Sequence, residues 1–193
     1  MLLVFAIQMN YSPLNIFLRG GIAPALPLDA HFPLWTIWVV PYSLVTFWWL
    51  VAYIWAAWKM EDHLLRVFIM GSIFIFVVSQ VIFITLPTYV IRPQITGNSI
   101  FDFWLLQIYL NDQPYNAFPS LHVSFTLMVS MMWGTWFPRW RWFFVLVLAL
   151  VILSTIFTHQ HYWLDLVGGT LVGAAGIWVG FWGARRVEET ARH

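Results

Sequence analysis

Five runs of about 20 mostly apolar residues decide what this chain can become, because that length crosses the hydrocarbon core of a bilayer as a helix. They are Pro33–Trp58, Leu65–Tyr89, Ala117–Phe137, Trp142–Gln160 and Tyr162–Gly183. A sixth run, Met1–Leu18, is interrupted by Gln8, Asn10, Ser12, Pro13 and Asn15, and reads either as a polar first span packed inside a bundle or as an interfacial helix; a span is the favoured reading. Of the 193 residues 61% are hydrophobic and only 9% are charged. A water-soluble domain carries about 25% charged residues, so lipid is the solvent for most of this surface. The expectation is an all-α integral membrane protein: six transmembrane helices in one membrane domain over residues 1–193, with a short interfacial helix between the third and fourth spans.

Charge and composition narrow the class further. Net charge is +1 and gives no sign of a nucleic-acid partner, and with no Cys there are neither disulfides nor thiolate metal sites. The apolar start, Met1–Ile7, lacks a basic segment and a small-residue cleavage site, so it does not read as a removed signal peptide. Alternating six spans puts Lys59, Arg66, Arg139, Arg141, Arg185, Arg186 and Arg192 on one face and Arg19 and Arg92 on the other. Basic residues concentrate on the cytoplasmic side, which predicts cytoplasmic termini and an outward-facing second layer in the plasma (cytoplasmic) membrane. The segment Ile91–Asn116 joins the third and fourth spans, and its apolar centre, Ile100–Leu110, reads as a short helix in the outer interface. It either caps a site and guides lipid into it or is a simple membrane-resting connector.

Ionisable side chains at membrane depth are costly and mark function. Arg92 follows the third span, His122 opens the fourth, His161 closes the fifth and Asp165 opens the sixth, so all four fall in the outer layer. His161 and Asp165, four residues apart, share a helix face or meet across a turn. A carboxylate on one imidazole nitrogen leaves the other nucleophilic. Alternatively the pair is only a buried tie between two spans. Pro119-Ser120 before His122 resembles a helix start, with Pro119 suited to the first helical position and the free amides suited to an anion; ordinary capping is the alternative. Arg92 suits a phosphate clamp or a plain headgroup contact. His159-x-His161 with His122 and Asp165 also has zinc-ligand composition, but no orienting partner for each imidazole is evident, so His159 reads as a hydrogen-bonding support and no metal is expected. His31 and His63 lie in loops and His193 is terminal, where solvated roles are expected. Gly169, Gly173, Gly176 and Gly180 read as a close-packing helix face.

Together these segments resemble the type-2 phosphatidic acid phosphatase superfamily of membrane enzymes over a catalytic core of about residues 65–183. The family pattern Lys-x6-Arg-Pro, Pro-Ser-Gly-His, Ser-Arg-x5-His-x3-Asp appears here as Thr85-x6-Arg92-Pro93, Pro119-Ser120-Leu121-His122 and Ser154-Thr155-x5-His161-x3-Asp165. The resemblance implies a phosphohistidine at His161, orientation by Asp165, proton donation by His122, and phosphoryl oxygens held by Arg92, Ser120 and Ser154, without cofactor. Thr85 and Thr155 stand where the family carries cations. One remaining Arg matches a singly charged phosphodiester better than a phosphomonoester, which is near-dianionic at neutral pH. The strings Phe118-Pro119-Ser120-Leu121-His122 and Thr158-His159-Gln160-His161-Tyr162-x2-Asp165, then Gly168-Gly169, are similar to the inositolphosphotransferase and sphingolipid-synthase branch. The resulting expectation is a lipid phosphotransferase that takes a phospholipid substrate and a lipid alcohol acceptor. The alternative is a lipid phosphatase acting on phosphatidate or a prenyl pyrophosphate with water. A proton-coupled transporter would need polar residues through the bilayer, and the inner halves offer little beyond Thr46, Ser72 and Ser130.

Overall fold

The computed structural model describes residues 1–191; Arg192 and His193, expected in the cytoplasmic tail, lie outside the described residues. Eight α-helices are described: α1 (Leu2–Met9), α2 (Tyr11–Phe17), α3 (Val39–Lys59), α4 (Asp62–Thr85), α5 (Ile100–Asn111), α6 (Leu121–Trp136), α7 (Arg141–Phe157) and α8 (Trp163–Thr190). Short 3₁₀ turns precede α3 and α7. Among the described residues the only β pairing is two isolated bridges, Ile22 with Thr88 and Tyr89 with Tyr115.

Four helical stretches are long and apolar enough to cross a membrane: Thr36–Lys59, Asp62–Thr85, Pro138–Phe157 and Trp163–Thr190. They match four of the five clear runs in the sequence, and the protein is a membrane-embedded helical bundle. The other two expected spans came out shorter. The helix expected over Ala117–Phe137 starts only at Leu121 and has 16 residues, because Asn116 adopts a left-handed backbone (φ 55°) and Ser120 takes the cap. Pro138 stops it at the other end, since a residue before proline avoids the helical region. The first segment is two short helices broken at Asn10. A continuous helix would need an N–H from Pro13 to the Met9 carbonyl, and proline has none.

Helix α6 is the centre of the bundle: ten of its sixteen residues are buried, against α3, α4, α7 and α8. Phe125 sits in an aromatic cluster with Trp49, Tyr53, Phe68 and Phe76, ring centroids 5.0–6.0 Å away. Such pairs add about 0.5–1.5 kcal/mol each beyond area burial. The outward faces stay apolar, with Phe47, Leu171 and Trp178 about two-thirds exposed, as expected where the surroundings are lipid.

The glycine face of α8 packs as expected. A Cβ on Gly173 would lie 2.8 Å from the Ser124 carbonyl oxygen, and one on Gly176 would lie 2.5 Å from Ile75. Gly180 meets the Val67 backbone. With no side chains intervening, α8 lies directly on α4 and α6. The basic residues at the far end are also brought together. His63 and Arg66 at the start of α4 reach Glu188 at the end of α8, at 2.8 and 3.9 Å.

Candidate functional site

The end of α4, the starts of α6 and α8 and the end of α7 share one end of the bundle, and the polar residues singled out in the sequence converge there. His161 sits in the turn between α7 and α8. Its ring centroid is 5.7 Å from that of His122, the second residue of α6, with the rings tilted 63°. Behind His161, Asp165 is fully buried, its Oδ2 3.4 Å from His161 Nδ1. That separation is an ion-pair contact but too long for a good hydrogen bond. Asp165 Oδ2 also accepts the Tyr162 N–H at 2.8 Å, which caps α8 and fixes the carboxylate. The Asp165 carbonyl accepts the Ser120 N–H at 3.0 Å, tying the His122 turn to the His161 turn. Gly169 permits this approach: a Cβ there would stand 2.5 Å from the Ser120 carbonyl oxygen.

Both imidazoles face two adjoining cavities. The larger, about 240 Å³, lies between the N-terminal helices and the bundle. It is walled mostly by apolar groups such as Phe5, Trp49 and Phe76, with Asn116, His122 and His161 at its polar end. The smaller, about 10 Å³, is lined by Arg92, Asp112, Gln160, His122 and His161 among others. Among the described residues Arg92 is the only Lys or Arg lining either cavity.

Arg92 is held by the C-terminal end of α5, where helix carbonyls favour a cation. Its guanidinium donates to the Asp112 carbonyl at 2.6 Å and the Tyr109 carbonyl at 3.3 Å, and it lies 4.6 Å from the Tyr109 ring centroid. It also donates to Gln160 Oε1, and it sits 3.9 Å from the Asp112 carboxylate. Its buried Nε has no hydrogen-bond partner among the described residues. Burial pushes the Asp112 carboxyl above the ordinary range, while the Arg92 charge pulls the other way. Asp112 in turn accepts from Asn15 Nδ2 at 2.6 Å, which anchors buried Asn15 of α2 to the site. Of the polar positions of the first segment, Asn15 packs inside and half-buried Gln8 accepts from the Tyr53 hydroxyl at 2.6 Å, whereas Asn10 and Ser12 are exposed. Helix α5 forms where the sequence expects a short helix, and its Tyr109 hydroxyl donates to the Thr158 carbonyl at 2.6 Å.

Other expected site residues are placed differently. Ser120 is the buried N-cap of α6, its Oγ accepting the Val123 N–H at 3.4 Å, while Pro119 precedes the cap instead of occupying the first helical position; Ser120 makes the better cap because its oxygen can accept an amide. Ser154 is buried and donates to the Val151 carbonyl at 2.7 Å. Neither serine lines either of these two cavities. His159, on a left-handed turn (φ 48°), hydrogen-bonds with the Phe32 backbone, and burial lowers its basicity. It too stands away from both cavities. The two threonines at the family's cation positions bond within their own helices, Thr85 to the Val81 carbonyl and Thr155 to the Ile152 carbonyl, each at 2.8 Å. Arg19 bonds its own Ile16 carbonyl and lines neither cavity. No group of three His, Asp or Glu side chains with metal-ligand geometry occurs among the described residues.

The family model described as the PAP2 superfamily matches residues 17–179. The chain belongs to the PAP2 superfamily. A 55-residue stretch is 34% identical to the inositol phosphorylceramide synthase catalytic subunit of Schizosaccharomyces pombe; it covers 28% of this chain and 13% of that protein. No solved structure matches. Of the PAP2 motif positions, Arg92, His122 and His161 face the cavities and Asp165 stands directly behind His161. Asn116, Gln160, Asp112, Asn15 and Tyr11 belong to the site as well, and the sequence reading did not single them out. Asn116 and Gln160 had one available signal: each is a carboxamide next to a motif, the former one residue before Ala117-Phe118-Pro119-Ser120 and the latter between His159 and His161.

Proposed function

We propose that this PAP2 protein is a lipid phosphotransferase that cleaves a phospholipid diester through a phosphohistidine and passes the phospho-headgroup to a lipid alcohol. One observation carries the reading. Two imidazoles on one cavity lie close enough to touch the same phosphoryl group, and one of them is backed by a fully buried carboxylate. With Nδ1 turned to Asp165, Nε2 of His161 is the nitrogen left to attack. The new N–P bond forms as the P–O bond to diacylglycerol breaks, and His122 gives its proton to the departing oxygen. In the second half, an acceptor hydroxyl returns a proton to His122, attacks phosphorus and breaks the N–P bond. His161 is then free again.

The charge balance supports a diester. A single guanidinium, already 3.9 Å from a carboxylate, serves the site, and a second uncompensated negative charge would be costly there. The apolar wall of the larger cavity suits lipid chains. In the same reading the chain makes six crossings, counting the α1–α2 pair and α6. Helix α5 lies in the outer interface, the active site faces the extracytoplasmic leaflet of the plasma (cytoplasmic) membrane, and both termini are cytoplasmic. The separation of the basic residues of α4, α7 and α8 from the Arg92 end supports that orientation.

The purified protein in vesicles of mixed phospholipids tests the proposal. Diester turnover with diacylglycerol release and headgroup transfer to an added lipid alcohol is the expected result. Release of inorganic phosphate from phosphatidate with no diester turnover would establish the phosphatase alternative.

A further inference from the structure

Buried polar atoms are nearly always paired, because a donor or acceptor taken out of water without a partner is destabilising. Around the two imidazoles several orphans gather. Asn116 is 3% exposed, lines the larger cavity, and neither its Nδ2 nor its Oδ1 has a partner among the described residues. Gln160 is 5% exposed, lines the smaller cavity, and its Nε2 has no partner among the described residues. The amide orientation of Gln160 is not arbitrary. Its oxygen accepts from the Arg92 guanidinium, so the NH₂ group must be the end turned away. The Asn116 backbone holds a left-handed conformation that asparagine tolerates better than most residues. His122 and His161 line both cavities, so each carboxamide shares a cavity with the same pair of rings.

We propose that Asn116 and Gln160 bind the phosphoryl oxygens with their side-chain N–H groups, as uncharged donors that complete the set begun by the free Arg92 Nε. Two amides supply hydrogen bonds without adding positive charge. They supply donors in a pocket with one Lys or Arg among the described residues, where Thr85 and Thr155 turn their hydroxyls back onto their own helices. The ligand they fit is a monoanionic phosphodiester, whose two non-bridging oxygens accept several bonds but carry one charge. The inference rests on the phosphotransfer reading above and adds its substrate-binding residues.

Isosteric acids give the test. Gln160→Glu keeps an oxygen for Arg92 and adds an ion pair to it, so the folded protein should melt no lower than wild type. It removes the N–H donor and adds a negative charge, and kcat/KM on phospholipid vesicles should fall by roughly ten- to hundred-fold, the loss expected for a hydrogen bond to a charged group. Asn116→Asp keeps a residue suited to the left-handed backbone and should fall similarly. Asn116→Gly, which also accepts that backbone, gives the donor deletion without new charge and decides the matter if the Asp variant does not accumulate. Gln160→Lys should raise phosphatidate turnover relative to diester turnover by about ten-fold, because a second cation now meets a second charge. Wild-type kcat/KM in Gln160→Glu and in either Asn116 variant would overturn the assignment. If the wild-type protein hydrolyses phosphatidate and leaves diesters untouched, the diester reading falls. The same variants measured on phosphatidate then still decide whether the carboxamides bind phosphoryl oxygens.

Discussion

Replacing Gly169 by alanine adds one methyl group to the point where the two imidazole-bearing turns touch. That Cβ would stand 2.5 Å from the Ser120 carbonyl oxygen and 3.1 Å from Val123 Cβ. Ordinary contact begins near 3.4 Å, so the Ser120–His122 turn must retreat from α8 by about 0.9 Å, the difference between 3.4 and 2.5 Å. The obstacle is backbone, and α8 is packed against α4 at Gly176 and Gly180, so neither side yields easily. Overpacking of this kind costs about 1–3 kcal/mol, offset by about 1 kcal/mol from the better helix propensity of alanine. The net loss of stability is therefore small. The catalytic effect is not: a displacement of about 1 Å between reacting groups costs on the order of 100-fold. Phospholipid turnover in vesicles, with thermal unfolding measured on the same preparation, separates the two quantities. The expected result is turnover down by about 100-fold with unfolding little changed. Gly183→Ala provides the comparison, since its Cβ would meet only the sulfur of Met70, the flexible end of a long side chain, at 2.6 Å; near wild-type turnover is expected. Full activity in Gly169→Ala would refute the claim that contact between these two turns sets the His122–His161 geometry.

Asp165→Asn preserves shape and can keep an oxygen for the Tyr162 N–H but removes the negative charge facing His161 Nδ1, and turnover should drop by about 10⁴-fold, the scale seen when a triad carboxylate is lost; a drop below 10-fold, on the order of 1.4 kcal/mol, would remove Asp165 from the mechanism. Arg92→Lys retains the charge but cannot span the carbonyls of Tyr109 and Asp112 together with Gln160, so diester kcat/KM should fall by roughly ten- to hundred-fold, and wild-type kinetics would show that charge alone suffices. His63→Ala breaks the 2.8 Å contact with Glu188 at the opposite end and should leave turnover unchanged; loss of activity without loss of folded protein would mean that the two ends are coupled.

Much of the bundle can be read from local pattern. The long apolar runs became α3, α4, α7 and α8, since in lipid a helix is the way a single segment satisfies its own backbone. The small-residue face of α8 also had one clear use. The histidines and Asp165 could be placed in a common layer because alternation of direction forces their helix ends together. Backbone details escaped the pattern: Pro13 splits the first segment at Asn10, and the left-handed Asn116 delays α6 to Leu121. The polar network was hidden for another reason. Asn15 meets Asp112 across 97 positions, and Arg92 meets Gln160 across 68. No periodicity links such pairs, and only the packed helices bring them together. Ser120, Ser154 and His159 show the converse limit, since a motif position fixes a residue type but not whether its side chain faces the cavity or its own backbone.

Mapping of a trapped covalent phosphate tests most directly whether one imidazole carries the phosphoryl group. Purified protein incubated with a phospholipid labelled at phosphorus should be quenched in base, where a phosphoramidate survives, and digested. The expected label is acid-labile, resides on His161, and is missing from His161→Ala, which should also be inactive. Rapid diester turnover with no label on His161, or an active His161→Ala protein, would contradict the covalent mechanism.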